Sequence, residues 1–562
     1  MRRQTILLFD TIVLGIIGAL GAELFRLLLD GCQYIFLNLI ADYSPPGLIG
    51  EGGNMQQIIG NHWLWFIPLI LVIGGIISGI LVYSLAPEAE GHGTDTAVKA
   101  FHRQAGNIRK RVTPIKIIAS AITIGSGGSA GREGPTALFS AGFGSIYATF
   151  FKRSEKEKRL LVLIGMAAGL SAIFRSPIGT AIFAIEVLYS NMEFEGQALL
   201  YTMLGSIIAY AFNGMFVGWK PLFQVPTSLP IHNLLEYGWY IILGLLSGVI
   251  GLILPNVFYY TRDFFNKIKI PPHFKPAIGA LGVSIIALAY PQVLGGGYGW
   301  IQKAINGNLA SSLLLILVFG KMIAFALTVS SGGSGGVFAP TLFIGAMLGG
   351  FIAHIFHQPP SAFAVVGMAA VFGSAARVPI ATLLMVTEMT GGYGLLVPAA
   401  FAVMLGFYLQ NLLAVKLNVK YISLYEAQVK GKSDSPAHRM DMIKTAVAML
   451  KERKNYDSKI MNDLDIGSLL ELKIPFDVSE SEALFLATLH PKSFCVGTVI
   501  KDKCLNPKDS QWEIVSIFRD EEMVYPHPDT VLEADDDLLI LSDKEDIETI
   551  RKNLKSKKKK SN

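Results

Sequence analysis

The sequence predicts an all-α polytopic membrane protein built from two similar halves, followed by a small cytoplasmic α+β domain. Hydrophobic residues make up 51% of the 562 residues and charged residues only 16%, which is too apolar for a soluble chain of this length. The passage from Gly165 to Glu186 recurs about 202 residues later, from Gly367 to Glu388. Each copy follows a glycine-rich interruption of an apolar run, a pattern typical of broken helices that meet near the bilayer midplane. These observations indicate a membrane transport protein.

Six apolar stretches are long enough, or nearly so, to cross a hydrocarbon core of roughly 30 Å. They cover residues 6–29, 63–85, 199–217, 237–257, 313–328 and 395–413. Shorter apolar segments near Gly125, Pro177, Pro340 and Pro379 predict half-helices, which are stable at membrane depth only when protein or a water-filled cavity surrounds them. The first stretch lacks a small-residue cleavage site, so we expect a retained first membrane helix.

Charge and cysteine usage indicate the compartment. The net charge of +5 is concentrated in segments 103–116 and 152–159 and in the C-terminal tail. Cys32, Cys495 and Cys504 have neither metal-ligand spacing nor an even number, so we expect reduced thiols that face a reducing compartment. We therefore expect a multi-pass protein of the inner or plasma membrane, with no metal, no cofactor and no nucleic-acid partner.

The composition changes abruptly near residue 428. Ser435 and Pro436 suit the N-cap and first position of a helix that runs to about Lys454. Ser542 to Glu545 predicts a capping box that opens a final amphipathic helix. Between these helices, short alternating runs predict strands at 494–500, 513–518, 531–532 and 538–541.

The two glycine-rich interruptions carry the chemistry of the membrane domain. Gly131 to Pro135 and Gly336 to Pro340 both place a proline in the first turn of the helix that follows. A helix that begins inside the membrane presents unpaired N–H groups and the positive end of its dipole, so it can bind an anion. Each helix N-terminus contributes roughly 0.3–1 kcal/mol, so two converging ends bind an ion and still release it.

These interruptions resemble the motifs of the CLC family of chloride channels and proton-coupled anion exchangers. Gly131 to Pro135 resembles the family's G-K/R-E-G-P motif, and Gly336 to Pro340 resembles G-x-F-x-P. Ser423 to Glu426 is similar to the place where the family holds a tyrosine hydroxyl on the central anion, and Gly91 to Asp95 lies where it usually reads G-S-G-I-P. The resemblance covers about residues 5–428. It implies a CLC-type inverted repeat of tilted helices, assembled as a homodimer with one pathway for chloride or related anions in each subunit.

The resemblance implies a role for most residues of the interruptions. Glu133 matches the gating glutamate, which occupies the external anion site when ionised and leaves when protonated. The alternative is a buried carboxylate with a structural role. Val337 and Phe338 are expected to offer backbone N–H groups between apolar walls. The implied anion-binding residues are His92, Gly131, Arg132, Glu133, Gly134, Val337, Phe338 and Tyr425.

Two residues depart from the family pattern at the central anion. His92 replaces the usual serine, and its imidazole could donate an N–H to the ion and make transport depend on pH near 6 to 7. The alternative is a histidine bonded to the backbone near a helix start. Asp95 replaces the proline, and we expect it to cap the helix with its carboxylate turned away from the ion.

A third departure concerns protons. Val187 occupies the position where the family's exchangers commonly hold a proton-relay glutamate, and a valine cannot carry a proton. The resemblance therefore favours a passive voltage- or pH-gated chloride channel, with a proton-coupled chloride exchanger as the alternative. Glu186 and Glu388 are expected to cap or pair within the bundle, with Arg175 and Arg377 as candidate partners.

The C-terminal segment resembles the C-terminal lobe of the RCK (TrkA-C) module. The resemblance rests on Trp512 to Phe518 and Pro526 to Leu541, and it implies a sensor for a small ligand or ion. No G-x-G-x-x-G or Walker sequence precedes it, so a nucleotide-binding lobe is not indicated. Asp535, Asp536 and Asp537 are interpreted as a solvated turn rather than a metal site.

The predicted domains follow from these features. They are a CLC-like membrane domain over 1–428 with repeat halves of about 60–235 and 236–428, a linker helix over 429–460, an RCK-like regulatory domain over 461–554, and a basic tail over 555–562.

Two other function classes match single features of the sequence. Ser129 and Ser334 both lie in G-x-S-x-G, so an intramembrane serine hydrolase with His92, His102 or His354 as base is a remote alternative. An enzyme needs only one such serine, so two copies of the motif argue against a hydrolase. We expect no enzymatic activity. A cation channel is disfavoured because the sequence has no T-V-G-Y-G filter and the interruptions offer N–H groups rather than carbonyls.

Overall fold

The computed structural model describes residues 2–60, 64–226, 234–454, 469, 474–502, 504–505, 512–519 and 522–555. The chain divides into two units, Met1–Lys430 and Gly431–Asn562. The first unit is helical, and the second combines helices with a sheet. The predicted basic tail lies outside the described residues apart from Lys555.

The first half of the membrane unit begins with a long helix and ends before residue 227. Its helices are α1 (Arg2–Gln33), α2 (Ile67–Leu85), α3 (Thr94–Arg103), α4 (Val112–Gly125), α5 (Glu133–Phe150), α6 (Glu155–Phe174), α7 (Pro177–Glu186) and α8 (Gly196–Val217). A π-helical turn over Tyr34–Ile40 continues α1, and two short antiparallel strands, β1 (Tyr43–Ser44) and β2 (Ile58–Ile59), follow it.

The second half repeats this arrangement from residue 234. Its helices are α9 (Leu234–Lys267), α10 (Lys275–Ala289), α11 (Tyr298–Ile305), α12 (Ser311–Ser330), α13 (Phe338–Ile355), α14 (Pro360–Ala376), α15 (Pro379–Thr390) and α16 (Leu396–Lys416).

Eight of the described helical segments are long and apolar enough to cross a membrane. Each of the six predicted stretches overlaps one of them, and five lie wholly within, whereas the stretch 63–85 begins before Ile67; the multi-pass prediction is confirmed. The segments Pro272–Ala289 and Phe338–Ile355 were missed as spans. The helix that contains Pro340 has 18 residues, so its prediction as a half-helix was wrong. The helices at Gly125, Pro177 and Pro379 are short, with 14, 10 and 12 residues, as predicted.

The duplicated Gly-Met-Ala-Ala passages lie where equivalent helices pack most closely. They belong to α6 and α14, which pack against α5 and α13. A Cβ on Gly165 would lie 2.4 Å from the carbonyl oxygen of Ser140, and one on Gly367 would lie 2.3 Å from that of Gly345. Only glycine therefore fits at these positions, and such small residues allow membrane helices to approach each other.

The two glycine-rich interruptions contact each other directly. Gly131 donates its N–H to the carbonyl of Gly336 at 2.8 Å, and Gly336 donates to the carbonyl of Gly131 at 2.6 Å, in antiparallel pairing. The hydroxyl oxygens of Ser120 and Ser334 lie 2.8 Å apart beside this bridge. The bridge joins the two halves at the points where α5 and α13 begin.

Glu186 and Glu388 each cap the start of a helix that belongs to the other repeat. Glu186, at the end of α7, accepts hydrogen bonds from the amides of Ile380 and Ala381 at the start of α15, at 3.2 and 2.6 Å. Glu388, in α15, accepts from the amide of Gly179 in α7 at 2.8 Å. Each carboxylate thus satisfies unpaired N–H groups and stabilises the positive end of the opposite helix.

The predicted partners of these carboxylates were only partly right. Capping is confirmed, but neither arginine takes part in it. Arg175 donates to the carbonyls of Gly50 and Lys220, and Arg377 donates to the carbonyl of Ser190 and to the side chains of Gln410 and Asn411. Both arginines adopt the left-handed conformation at the C-terminus of α6 or α14, so their side chains leave the helix in another direction.

In its described residues the second unit forms a five-stranded antiparallel sheet of order β3-β4-β7-β5-β6. Its elements are α17 (Pro436–Lys454), β3 (Phe476–Asp477), β4 (Glu482–Thr488), β5 (Trp512–Arg519), β6 (Glu522–Val524), β7 (Asp537–Asp543) and α18 (Ile547–Lys555). Phe485 of β4 packs with Ile550 of α18, whereas Leu484 packs with Ile443 of α17. The two helices therefore cover opposite faces of the sheet.

Several predictions for this unit need correction. The bounds of α17 are confirmed, but Ser542 lies in β7, so the predicted capping box was wrong. The segment 494–500 forms turns rather than a strand, with the hydroxyl of Thr498 donating to the carbonyl of Cys495 at 2.8 Å. Asp536 is not solvated, because it is 1% exposed and accepts hydrogen bonds from Arg519 at 2.8 and 2.9 Å.

The close bridge between Gly131 and Gly336 predicts that one added methyl group lowers the stability of the protein. In Gly336→Ala the new Cβ would lie 2.6 Å from the amide nitrogen of Gly134, so we expect a loss of stability of about 1–3 kcal/mol. The measurement is the fraction of detergent-purified protein that stays monodisperse after heating. Gly320→Ala in α12 is the matched control, since its Cβ meets only a side-chain atom of Val293 at 3.5 Å. Equal heat resistance of the two variants would contradict the prediction.

The hydrogen bonds from α15 to Glu186 predict that two substitutions of this residue destabilise the protein by different amounts. In Glu186→Ala the amides of Ile380 and Ala381 lose their acceptor, and we expect destabilisation of about 1–3 kcal/mol. Glu186→Gln keeps one acceptor oxygen and should lose less. Thermal unfolding followed by tryptophan fluorescence in detergent measures both variants. An alanine variant as stable as the parent would show that these hydrogen bonds do not hold the helix.

Candidate anion-binding site

Glu133 is the first residue of α5 and lies at the meeting point of the two interruptions. It is 2% exposed, and its carboxylate turns towards Gly131 and the backbone amide of Ala339 in the first turn of α13. Among the described residues neither carboxylate oxygen reaches full hydrogen-bond geometry with a partner. The side chain therefore places a carboxylate between the N-termini of α5 and α13, where the helix dipoles favour negative charge.

Arg132 precedes α5 and faces a different group. Its guanidinium donates to the carboxylate of Glu51 at 2.6 Å and lies 4.8 Å from the centre of the Tyr298 ring. It is 6% exposed, and the Glu51 carboxylate is its ion-pair partner. The side chain predicted to bind an anion is thus already paired beside the site.

The glycines of the first interruption provide close approach. The amide of Gly131 donates to the carbonyl of Gly336 in the bridge, so Gly131 contributes close backbone approach beside the predicted anion site and its N–H is already bonded. A Cβ on Gly134 would lie 2.1 Å from the carbonyl oxygen of His92 and 2.8 Å from the Cα of Gly336. Gly134 therefore lets α5 pack directly on the loop that carries His92.

Val337 and Phe338 open α13 on the other side of Glu133. Both side chains are buried, at 1% and 2% exposure. Their amides belong to the first positions of α13, which no carbonyl within the helix can satisfy. The Phe338 ring centre lies 4.3 Å from the ring centres of Phe174 and Phe372. Two amides without a partner inside the helix thus lie beside a cluster of aromatic rings.

His92 and Tyr425 lie together although 333 positions separate them in the sequence. Their ring centres are 5.6 Å apart, and the Tyr425 hydroxyl is hydrogen-bonded to the side chain of Thr94. Phe258 lies 6.1 Å from His92 on another side. The structure therefore brings together the two residues that the sequence placed at the central anion.

Asp95 does not cap α3 in the predicted way. The N-cap is Gly93, and Asp95 lies in the first turn of the helix. One carboxylate oxygen lies 3.2 Å from Nε2 of His92, and the other accepts the amide of Ala427 at 3.1 Å. Asp95 thus joins the histidine to the segment that carries Tyr425.

Two buried lysines were missed by sequence reasoning. Lys116 in α4 donates to the carbonyls of Ala89 and Gly91, at 2.9 and 2.6 Å. Lys321 in α12 makes the equivalent bonds to Val293 and Gly295, at 2.8 and 2.6 Å. Each lysine fixes the loop that leads into a short helix, α3 or α11. A charged residue within an apolar helix of each repeat was the signal that could have identified them.

The remaining candidate residues are Val187 and those considered for a serine hydrolase. Val187 is fully buried at the end of α7 and belongs to the apolar core. The hydroxyl of Ser334 is bonded to Ser120 and to the carbonyl of Ala89. His102 and His354 are hydrogen-bonded to backbone carbonyls and His92 to Asp95, so in the described part of the chain each histidine weighed as a base is bonded to a group other than a serine.

Comparisons with known proteins show the family of each part of the chain. Residues 74–411 match the family model for voltage-gated chloride channels, and residues 484–555 match the model for the TrkA-C domain. The chain is 31% identical over 365 residues to the protein named H(+)/Cl(-) exchange transporter ClcA in Salmonella agona (strain SL483), with 62% of this chain and 76% of the relative covered. A relative of the same name from Salmonella newport (strain SL254) gives the same identity and coverage.

Solved structures show the same fold. A slow cyanobacterial Cl−/H+ antiporter superposes with a TM-score of 0.64 at 23% identity, covering 74% of this chain and 96% of that one. A CLC-type fluoride/proton antiporter gives a TM-score of 0.62 at 24% identity, with coverage of 76% and 98%.

Proposed function

The chain belongs to the voltage-gated chloride channel (CLC) family, and we propose that it carries chloride across a membrane along a pathway gated by Glu133. Family membership and the TrkA-C match confirm both resemblances noted in the sequence. The observation that carries the proposal is the position of the Glu133 carboxylate between the N-termini of α5 and α13. An anion attracted to the same helix ends competes with this carboxylate, so binding and gating use one set of groups.

The proposed pathway uses the amides of Val337 and Phe338, the close approach at Gly134 and the hydroxyl of Tyr425. His92 is proposed to contact the central anion. Arg132 is proposed to act on the anion through its electrostatic field and not by direct contact, because its guanidinium already pairs with Glu51. No arginine or lysine among these groups faces the ion as an unpaired cation. Binding is therefore weak enough for the ion to leave, as conduction requires.

We propose a passive channel, on the ground that Val187 offers no group to relay a proton from the inner side. A proton-coupled exchanger is the second candidate. It is supported by the 31% identical relatives, which are named exchange transporters. The remote proposal of a serine hydrolase finds no support in the described histidines, since each is bonded elsewhere.

Three further proposals follow from the family resemblance. The protein acts as a homodimer with one pathway in each subunit. It resides in the inner or plasma membrane with its C-terminal unit in the cytoplasm. The TrkA-C domain, matched over residues 484–555, senses a small ligand or ion and adjusts transport.

Replacement of the gate is the first functional test. Glu133→Gln removes the negative charge at nearly the same volume, so at saturating chloride, where binding does not limit transport, we expect chloride flux from liposomes to persist while its dependence on pH is lost. Glu88→Gln, on an exposed carboxylate that pairs with Arg109, is the matched control and should behave as the parent. If flux through Glu133→Gln still rises at low pH as in the parent, Glu133 is not the gate.

Coupling to protons is tested with the same liposomes. Because Val187 cannot accept a proton and relays in a membrane need ionisable groups, we expect a chloride gradient to drive no stoichiometric proton movement. A pH-sensitive dye inside the liposomes reports this directly. Uphill proton movement that Glu133→Gln abolishes would contradict the channel and establish the exchanger.

A further inference from the structure

His92 and Asp95 form a pair that chloride transport alone does not require. We propose that this pair is a proton-binding site coupled to the anion site, so that the imidazole of His92 takes up a proton when an anion binds beside it. The inference rests on the proposed function, because it needs an anion next to His92. Its basis is the contact of Nε2 with Asp95 at 3.2 Å and the burial of His92, which is 6% exposed.

The contact with Asp95 decides which nitrogen carries the hydrogen. A carboxylate accepts hydrogen bonds and cannot donate them, so Nε2 of His92 holds a hydrogen whenever it faces Asp95. The other oxygen of Asp95 accepts the amide of Ala427, which fixes the carboxylate in place. Neutral His92 is therefore the Nε2–H tautomer, and its Nδ1 presents a lone pair.

Nδ1 of His92 is buried and, among the described residues, has no hydrogen-bond partner. A lone pair repels an anion, whereas a protonated Nδ1 donates a hydrogen bond to it. An unpartnered buried polar atom also costs free energy, which a bound anion recovers only from the protonated ring. Anion and proton thus stabilise each other at this position.

Charged and titratable groups from every neighbouring element act on this ring. Asp95 and Lys99 lie on α3, which begins two residues after His92. Glu133 lies on α5, Lys116 on α4, Tyr259 on α9 and Tyr425 on the segment after α16, and Glu90 faces Lys116. Asp95 is the carboxylate in contact with the ring, and the ammonium group of Lys116 is directed to the carbonyls of Ala89 and Gly91.

Linkage makes the effect measurable. If chloride binds the protonated ring preferentially, protonation is favoured by chloride to the same extent. Where the free ring is neutral, chloride affinity should then fall up to about tenfold for each unit of rising pH. Uptake of this proton does not require its passage across the membrane, so the inference holds for a channel and for an exchanger.

The experiment measures chloride binding to the purified full-length protein by titration calorimetry. Every protein in this experiment carries Glu133→Gln, so that ionisation of the gate does not contribute to the proton uptake measured. Two buffers of different ionisation heat report the number of protons taken up for each chloride bound. We expect net proton uptake and a chloride affinity that weakens as pH rises.

Asp95→Asn gives the sharpest variant. Its amide oxygen can keep the bond to the Ala427 amide, and its NH2 group then faces Nε2 of His92. The neutral ring becomes the Nδ1–H tautomer, which donates to chloride without an added proton. We expect binding to persist at high pH and proton uptake to disappear. His92→Ser, which supplies a hydroxyl donor, should also bind without proton uptake.

The outcomes separate this inference from the proposed function. Chloride binding and flux without proton uptake in the Glu133→Gln protein would overturn the inference and leave chloride transport intact. Proton uptake that persists unchanged in Asp95→Asn or His92→Ser would also overturn it. If the parent neither binds nor carries chloride, the proposed function fails, and the inference fails with it.

Discussion

The two hydrogen bonds that Gly131 and Gly336 exchange are the contact on which the membrane unit depends. They fix the distance between the starts of α5 and α13, and the effect of a helix dipole on an anion falls off within about one turn. A wider separation would leave each helix end too weak to hold the Glu133 carboxylate or an ion in its place. The duplicated glycines are therefore a requirement of electrostatics as much as of packing.

Polar groups around this contact are supplied in matched sets. Lys116 and Lys321 hold the loops before α3 and α11, and Glu186 and Glu388 cap helices across the repeat boundary. Each set satisfies backbone groups that have no water to bond at membrane depth. The pair formed by His92 and Asp95 has no such counterpart in the repeat pattern, which is why it stands out as a site for a different task.

Local patterns in the sequence predicted six of the eight described spans and the short helices at Gly125, Pro177 and Pro379. The convergence of His92 with Tyr425 was predicted through the family resemblance. Long-range polar partners could not be predicted, since Asp95 bonds to the amide of Ala427, 332 residues away. Strand β4 was missed because its residues are buried on both faces and do not alternate. The segment 494–500 alternates in sequence, but side-chain bonds such as that of Thr498 close it into turns.

The hydrogen bonds of Glu186 and Glu388 to helices of the other repeat have a consequence for how the protein folds during synthesis. The amide of Gly179 is bonded to a carboxylate 209 residues further along the chain. At about 5–20 residues per second, a ribosome needs roughly 10–40 s to reach Glu388 after it has added the start of α7. During that interval the short helix has no cap and cannot stay in lipid unaided. The backbone at the start of α7 is therefore satisfied only after the second half has been synthesised, so the first repeat reaches its final structure together with the second.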